Sequence, residues 1–315
     1  MNPLISVIIC THNPNQMYFQ RTLNGLQEQT LINNIWELII VDNATPDPQY
    51  IPSFDISWLN YSKIIIEKNL GLTRARLAGI QASQGNYIVF VDDDNVLDPN
   101  YLENIVSIFS KYPNLGAIGG KSLPEFEISP EAWIKDFWVC LALRDLGEDV
   151  QTYFYSHSPN QEKYYPSFAP IGAGMTLQRE AAIYYANSVA KDPKRLELDR
   201  TGKSLRSGGD CDINLTLLDS GWGVGYFPQL QLSHLISANR LTKEYLARLN
   251  YAASLSWIQV LDSHNIRPWE KIPRWSVLPR KLKSFFNCQA WKSPSAFVSW
   301  RGTCGTFEGL ADLDG

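Results

Sequence analysis

The sequence YIVFVDDDNVLDP at residues 87–99 contains the pattern on which the fold prediction depends. Its first five residues are apolar or aromatic, as in a strand buried on both faces of a sheet. Three aspartates follow directly: Asp92, Asp93 and Asp94. Because neighbouring carboxylates repel one another, a cation or a solvated turn is expected to hold them. The stretch therefore predicts a buried strand that ends at a ligand site or in an Asp-rich turn capping the next helix.

The bulk composition is typical of a soluble globular protein, with 44% hydrophobic and 19% charged residues in a chain of 315. This length allows one large core, or one core with an appended subdomain. A formal charge of −4 offers no general attraction to nucleic acid. The apolar runs are far shorter than the roughly 20 residues that cross a bilayer. The N-terminus lacks signal-peptide features, and the five cysteines are scattered, so we expect a cytoplasmic protein.

Short apolar runs at 4–9, 36–41, 63–67 and 87–91 alternate with helical patterns. This alternation predicts an α/β fold with a mostly parallel central sheet covered on both faces. The next helix is expected to begin at Asp98-Pro99, with the aspartate as N-cap and the proline at the first helical position. We predict an α/β half at 1–120, a second half of the same domain at 121–240, and a helical extension at 241–315.

Each of these strands ends at polar residues, namely Thr11-His12-Asn13, Asp42-Asn43, Asn69 and Asp92 to Asp94. In open parallel sheets, ligands bind outside the carboxyl ends of the strands. We therefore expect these polar groups to form one ligand site at one edge.

The three aspartates are suited to Mg²⁺ or Mn²⁺, which prefer carboxylate oxygens and often bridge them to substrate phosphates. The alternative, an Asp-rich cap of the next helix, accounts better for Asp98 than for residues 92–94. His234, after the apparent strand FPQLQLS, could add an imidazole ligand, although a lone histidine is more often structural.

A second acidic segment, SGGDCDINL at 207–215, places Asp210 and Asp212 after two glycines at the start of a predicted helix. A carboxylate at this position is commonly an N-cap. The functional alternative is a general base, which must lie within hydrogen-bonding reach of the proton that it removes.

Four segments together resemble family 2 glycosyltransferases with the GT-A fold: SVIICTHN, ELIIVDNAT, EKNLGLTRARLAGIQASQGNYIVFVDDDN and GGDCDINLTLLDSGW. The resemblance covers residues 4 to 235. It implies an α/β/α sandwich and inverting transfer from a nucleotide-sugar, usually with Mn²⁺ or Mg²⁺. The acceptor would be a saccharide or lipid-linked hydroxyl, in polysaccharide or glycoconjugate biosynthesis.

The resemblance also implies roles for individual residues. Asp42 would accept a hydrogen bond from the base imino group, which suits a UDP- or dTDP-sugar. Asp94 would be the direct metal ligand, and His234 would help to bind metal or diphosphate. The nucleotide-sugar-binding residues would be Thr11, His12, Asn13, Asp42, Asn69, Arg74, Asp92 and Asp93.

On the acceptor side, Asp210 matches the catalytic base of the family. Relatives often have Gly-Glu-Asp where this chain has Gly208-Gly209-Asp210, so the glutamate is missing and Asp212 is the fallback base. Gly174, in the run PIGAGM, is expected to allow a close backbone approach near the donor sugar or acceptor, or simply to form a packed turn.

Other protein classes fit less well. A dinucleotide-binding dehydrogenase would have G-x-G-x-x-G in the first turn, where this chain has THNPNQ, and there is no P-loop motif. A nucleotidyltransferase would have a glycine-rich, basic N-terminal loop. A non-catalytic nucleotide-sugar-binding module would keep the aspartates and lose the base, so Asp210 argues against it.

The C-terminal segment is rich in basic and aromatic residues. Six Lys or Arg side chains lie between Arg267 and Lys283, opposed only by Glu270, with tryptophan and phenylalanine among them. This composition suits peripheral contact with an anionic membrane, which a lipid-linked acceptor would make useful. The alternative is a packed extension with a solvated basic face.

Overall fold

The computed structural model describes residues 3–156 and 163–313, and within these ranges one sheet contains nine strands. The strands are β1 Ile5–Thr11, β2 Trp36–Asp42, β3 Ser62–Ile66, β4 Tyr87–Asp92, β5 Asn95–Leu97, β6 Leu115–Phe126, β7 Gln151–Tyr153, β8 Thr176–Gln178 and β9 Gly223–Ile236. The helices are α1 Gln16–Gln27, α2 Leu72–Ala82, α3 Tyr101–Lys111, α4 Arg179–Val189, α5 Pro193–Leu196, α6 Gly209–Asp219, α7 Lys243–Ser263, α8 Val277–Asn287 and α9 Pro294–Asp312. Short 3₁₀ helices cover Ile51–Ser53, Ala132–Leu141, Ala238–Leu241 and Arg274–Ser276.

The strands lie in the order β3-β2-β1-β4-β8-β6-β9-β5, and β7 also pairs with β9. The first four are parallel, β8 runs antiparallel to both of its neighbours, and β6 is parallel to β9. The predicted α/β class with a mostly parallel sheet is confirmed.

The strand register aligns the carboxyl ends of the first strands. Thr11 is paired with Asp42 across β1 and β2, and Cys10 with Asp92 across β1 and β4. Because these strands run in the same direction, the polar residues that end them reach the same edge of the sheet.

Both faces of the sheet are buried, which explains why the central strands are predominantly apolar. Val7 and Ile9 belong to a core with Phe19 of α1, whereas Ile8 belongs to the opposite core with Ala75 of α2. All five side chains are fully buried. Burial of a large aliphatic or aromatic side chain contributes about 1.5–3 kcal/mol, so the ends of these strands are held by a rigid scaffold.

The C-terminal segment is helical. Thr242 caps α7 by accepting a hydrogen bond from the backbone N–H of Tyr245 at 3.3 Å. Leu249 of α7 and Val298 of α9 share one apolar cluster. In the described part of the chain, no helix combines the length and apolar character needed to cross a membrane.

The prediction for the start of α3 is wrong by two residues, since the helix begins at Tyr101 rather than Pro99. The backbone N–H of Asp98 donates to Gln231 of β9 at 3.0 Å, which keeps residue 98 extended. The Asp98 carboxylate instead accepts from the Asn100 N–H at 3.0 Å, in the turn before the helix. His234 lies inside β9, not after it.

Candidate active site

The carboxyl ends of β1, β2 and β4 open into a cavity of about 330 Å³, a size typical of small-molecule sites. Loops before α2 and α6 and the end of β9 complete its walls. Its polar and charged lining side chains are Thr11, His12, Asn43, Arg76, Asp92, Asp93, Asp94, Asp199, Arg200, Ser207, Asp210, His234 and Arg240.

The structure brings together seven of the residues that the sequence predicts for the site: Thr11, His12, Asp92, Asp93, Asp94, Asp210 and His234. The other six do not line the cavity: Asn13, Asp42, Asn69, Arg74, Gly174 and Asp212.

Asp42 is buried, and its carboxylate accepts from the Thr45 N–H at 2.9 Å. Asn13 donates its N–H to the Thr45 hydroxyl at 2.9 Å. These two residues therefore fix the loop after β2 from outside the cavity.

Each aspartate after β4 has different surroundings, which explains how three adjacent carboxylates coexist. Asp93 accepts a hydrogen bond from the Thr11 hydroxyl, while burial and the neighbouring Asp94 raise the pKa of Asp93 to about 7. Burial and Asp94 also raise the pKa of Asp92, which the Arg76 charge lowers in part. The repulsion within the cluster is thus reduced, because the carboxyl groups of Asp92 and Asp93 ionise less readily than usual.

Asp94 contacts two basic side chains. Its Oδ2 accepts from Arg240 Nη1 at 2.8 Å, and its Oδ1 lies 3.3 Å from His234 Nε2. Burial alone would raise the pKa of Asp94, but His234 and Arg240 hold it well below its ordinary value. The contact follows from the pairing of β5 with β9, which sets Asn95 opposite His234.

A buried ion pair forms another wall. Arg76 Nη1 lies 2.9 Å from Asp199 Oδ2, and both side chains are almost completely buried. The Arg76 guanidinium also lies over the Phe90 ring, 5.4 Å from its centre. Arg76 lines the cavity, whereas Arg74, the arginine that the resemblance places beside the donor, does not.

Asp199 also explains the unusual glycine at position 209. A Cβ atom built on Gly209 would lie 2.1 Å from Asp199 Oδ2 and 2.9 Å from its Cγ. The space in which a glutamate at 209 would begin is therefore filled by the Asp199 carboxylate.

Asp210 lies in the first turn of α6, whose N-cap is Gly208. Its Oδ2 accepts from the Gly172 N–H at 3.1 Å, and its Oδ1 from the Cys211 N–H at 2.8 Å. A carboxylate has about four acceptor positions, so two remain for a substrate. The N-cap alternative for Asp210 does not match this geometry.

Asp212 lies in a buried network away from the cavity. Arg195 donates to both of its oxygens, at 2.8 and 3.0 Å, and His264 Nε2 lies 2.9 Å from Oδ1. The other ring nitrogen of His264 lies 2.8 Å from Asp219, which also pairs with Lys163. Because its oxygens are occupied by these partners, Asp212 stabilises the packing of α6 and cannot contact an acceptor here.

Gly174 is also structural. Its φ of +74° is a left-handed conformation, and its carbonyl accepts from the buried Tyr101 hydroxyl at 2.7 Å. The neighbouring Gly172 and Ala173 are the residues of this run that reach the cavity.

Asn43, one of the polar residues at the strand ends, lines the cavity. Its Oδ1 accepts from the Gly71 N–H at 2.8 Å, and its Nδ2 donates to the carbonyls of Glu67 and Asn69 at 3.0 and 2.8 Å. Asn43 thus fixes the loop before α2 against the end of β2, and Asn69 takes part through its backbone.

Four charged residues of the lining were missed: Arg76, Asp199, Arg200 and Arg240. Arg76 has a sequence signal, because it follows Leu72 by four residues and so lies on the buried face of α2. Asp199 and Arg200 lie in an irregular segment, and Arg240 in a short 3₁₀ helix, whose courses depend on tertiary packing.

Comparisons with known proteins agree with this architecture. The Staphylococcus aureus TarS fragment 1–349, solved in complex with UDP, superposes with a TM-score of 0.52 at 13% identity, over 99% of this chain and 90% of that one. At this identity the likeness establishes the fold, and the predicted GT-A-type sandwich is confirmed.

Two Haloferax volcanii proteins are similar in sequence. Glycosyltransferase AglE is 31% identical over 110 residues, covering 34% of this chain and 36% of the relative. Glucosyl-dolichyl phosphate glucuronosyltransferase is 23% identical over 154 residues, covering 47% and 48%. The chain thus aligns with less than half the length of these relatives. The family model for glycosyl transferase family 2 matches residues 6–184, more than half of the sequence. The chain belongs to glycosyl transferase family 2.

Proposed function

We propose that this chain is an inverting glycosyltransferase of polysaccharide or glycoconjugate biosynthesis. It would move a sugar from a UDP- or dTDP-sugar to a hydroxyl group of a saccharide or lipid-linked acceptor. The supporting observation is that Asp210 and the aspartates after β4 line one cavity. One wall thus offers a proton acceptor, and another offers the groups expected to bind a donor. The UDP complex of the TarS fragment supports the choice of nucleotide.

Asp210 is the proposed general base. It removes the proton of the acceptor hydroxyl as that oxygen attacks the anomeric carbon of the donor. The new C–O bond forms on the face opposite the breaking bond, and the nucleoside diphosphate departs with the bonding electrons. The two N–H groups that bind Asp210 orient its carboxylate for this step.

The proposal includes Mn²⁺ or Mg²⁺ held by Asp94 and His234. A carboxylate oxygen and an imidazole nitrogen 3.3 Å apart are donors that Mn²⁺ accepts. No group of three or more His, Cys, Asp or Glu side chains in residues 3–156 and 163–313 is placed to hold a metal. The remaining ligands would be diphosphate oxygens and water, as is usual for these ions. When bound, the cation would neutralise charge on the leaving diphosphate.

The chain also has its own positive charges for the diphosphate. Arg200 and Arg240 both line the cavity, and Arg240 already binds a carboxylate oxygen of Asp94. Arginine is well suited to phosphate because its guanidinium donates two parallel hydrogen bonds. These residues would orient the leaving group, Arg240 from the 3₁₀ helix after β9 and Arg200 from the segment before α6.

The proposal is tested by nucleoside diphosphate release from a panel of UDP- and dTDP-sugars with Mn²⁺ and saccharide acceptors. Asp210→Asn should lower turnover about 10²- to 10⁴-fold and leave donor binding, measured calorimetrically, nearly unchanged. Asp149→Asn, at an exposed carboxylate outside the lining, is the matched control. Substantial turnover in Asp210→Asn would refute the base role. Donor binding without turnover in the unmodified chain would instead indicate a non-catalytic binding module.

The metal assignment has a separate test. Mn²⁺ should increase the thermal stabilisation of the chain by UDP, and Asp94→Ala should abolish that increase. An increase of the same size in the variant would exclude Asp94 as a ligand.

A further inference from the structure

Helix α8 presents an apolar surface that the described residues leave exposed. Leu278, Leu282 and Phe286 follow one another at intervals of four, so they lie on one side of the helix, with exposed fractions of 65%, 55% and 64%. Trp275 precedes them by one turn, and Trp291 lies 5.8 Å from the Phe286 ring. We refer to these five side chains as the α8 apolar row.

The helix that carries the three central side chains of the α8 apolar row is packed firmly against the rest of the chain. Val277 lies on the inner side of α8. It is buried in a cluster with Ile272, which precedes the helix, and with Ala311 of α9. The Trp300 indole N–H donates to the Lys281 carbonyl at 3.0 Å, which ties α9 to α8. The helix is therefore held on one side while the row faces solvent.

The sequence segment that contains the α8 apolar row carries charges of one sign. Between Lys271 and Phe307 there are seven Lys or Arg residues and no Asp or Glu, in a chain whose net charge is −4. Lys281 and Arg274 pair with acidic residues of α9, Glu308 and Asp312. Four basic side chains of this segment are exposed: Lys271, Arg280, Lys283 and Lys292.

We propose that the α8 apolar row docks on the surface of an anionic lipid bilayer. Its leucines and aromatic rings would enter the boundary between headgroups and acyl chains, and the four exposed basic side chains would lie among the headgroups. A helix with Trp, Phe and Leu on one side and Lys or Arg beside them is the kind that lies in a membrane interface.

Charge complementarity favours a lipid surface over a second copy of this chain. In a two-fold interface the same patch meets itself, which would bring the exposed Lys and Arg side chains of two copies together. Lysine is also depleted at protein interfaces. The inference is independent of the proposed sugar transfer, because none of these residues lines the cavity.

The test is cosedimentation of the full chain with two kinds of vesicle. One contains phosphatidylcholine alone, and the other contains phosphatidylcholine and phosphatidylglycerol in equal parts. The chain should pellet with the anionic vesicles only, and less at high salt. Lys283→Gln should lower the partition coefficient about fivefold. Leu282→Ser should lower it about tenfold.

The matched controls are Ile32→Ser and Lys191→Gln, at exposed apolar and basic positions far from α8 in sequence, and both should bind like the unmodified chain. Circular dichroism checks that Leu282→Ser remains folded. Turnover with a soluble acceptor should be the same in Leu282→Ser as in the unmodified chain, which separates this proposal from the proposed function.

Three results would overturn the proposal. One is the absence of pelleting with anionic vesicles, or equal pelleting with neutral ones. Another is lipid-free self-association that Leu282→Ser abolishes, which would assign the row to a second copy. The last is binding to soluble dextran sulfate as tight as to vesicles and unaffected by Leu282→Ser, which would indicate an anionic polymer.

Discussion

Replacing Gly209 by alanine should displace Asp199 from its ion pair with Arg76. The new Cβ would lie 2.1 Å from Asp199 Oδ2, well inside van der Waals contact. Overpacking of this kind costs about 1–3 kcal/mol. Complete loss of a buried ion pair costs about 3–5 kcal/mol, and displacing the Asp199 carboxylate would remove part of that stabilisation. We therefore expect Gly209→Ala to lower the free energy of unfolding by about 3 kcal/mol.

A double-mutant cycle measured by urea denaturation isolates this contact. Asp199→Ala alone should be strongly destabilising, because Arg76 stays buried without its partner. In that background Gly209→Ala should cost far less, since the closest remaining atom is the Cβ of residue 199 at 3.0 Å. The expected coupling energy is about 2 kcal/mol. If Gly209→Ala costs the same in both backgrounds, the steric reasoning is wrong.

The same pair of positions allows a carboxylate exchange. Gly209→Glu combined with Asp199→Ala should be more stable than Asp199→Ala alone, because the glutamate starts where the aspartate carboxylate was and can reach Arg76. A double variant no more stable than Asp199→Ala would show that the two positions are not equivalent.

Three further predictions concern other parts of the site and its support. Arg240→Gln should weaken UDP binding about tenfold to a hundredfold by calorimetry, because a hydrogen bond to a charged group contributes about 1.5–3 kcal/mol; unchanged affinity would place Arg240 away from the diphosphate. Burial alone lowers the pKa of His264, but hydrogen bonds to its two aspartate partners raise it above the ordinary value. The resulting stabilisation is complete below about pH 6.5 and is lost as pH rises through the raised pKa, so the deficit of His264→Asn in unfolding free energy should shrink as pH rises above about 6.5; a deficit that is constant with pH would contradict this. Gly174→Ala should cost about 2–4 kcal/mol in urea denaturation, because alanine is strained at a left-handed φ and its Cβ would meet the Tyr101 hydroxyl; a near-neutral effect would argue against the strain.

The parallel part of the fold could be predicted from sequence because each strand there is a continuous apolar run. Residues 87–91 are apolar since both faces of β4 are covered, and the aspartates follow where the strand reaches the open edge. The convergence of the strand ends then follows from parallel topology alone. The placement of Asp92 and Thr11 in one cavity required no knowledge of loop structure.

The remaining part of the site depends on contacts between distant segments. His234 meets Asp94 through the register of β9 with β5, and no local pattern specifies that register. The resemblance also does not specify which face of α2 packs on the cavity, where Arg76 lies and Arg74 does not. Asp199 lies in a segment with neither helical nor strand periodicity, so its pairing with Arg76 is visible only after folding.

The pairing of β5 with β9 determines whether the first 120 residues could exist alone. The Leu235 N–H donates to the Asp94 carbonyl at 2.8 Å, so a strand near the end of the domain holds the aspartate turn that completes the first hundred residues. A fragment ending at residue 184, where the family match stops, would keep all three aspartates and lose the strand that orients them. The two halves cannot be exchanged between relatives as independent modules, and chimaeras that preserve function would have to inherit β5 and β9 from the same parent.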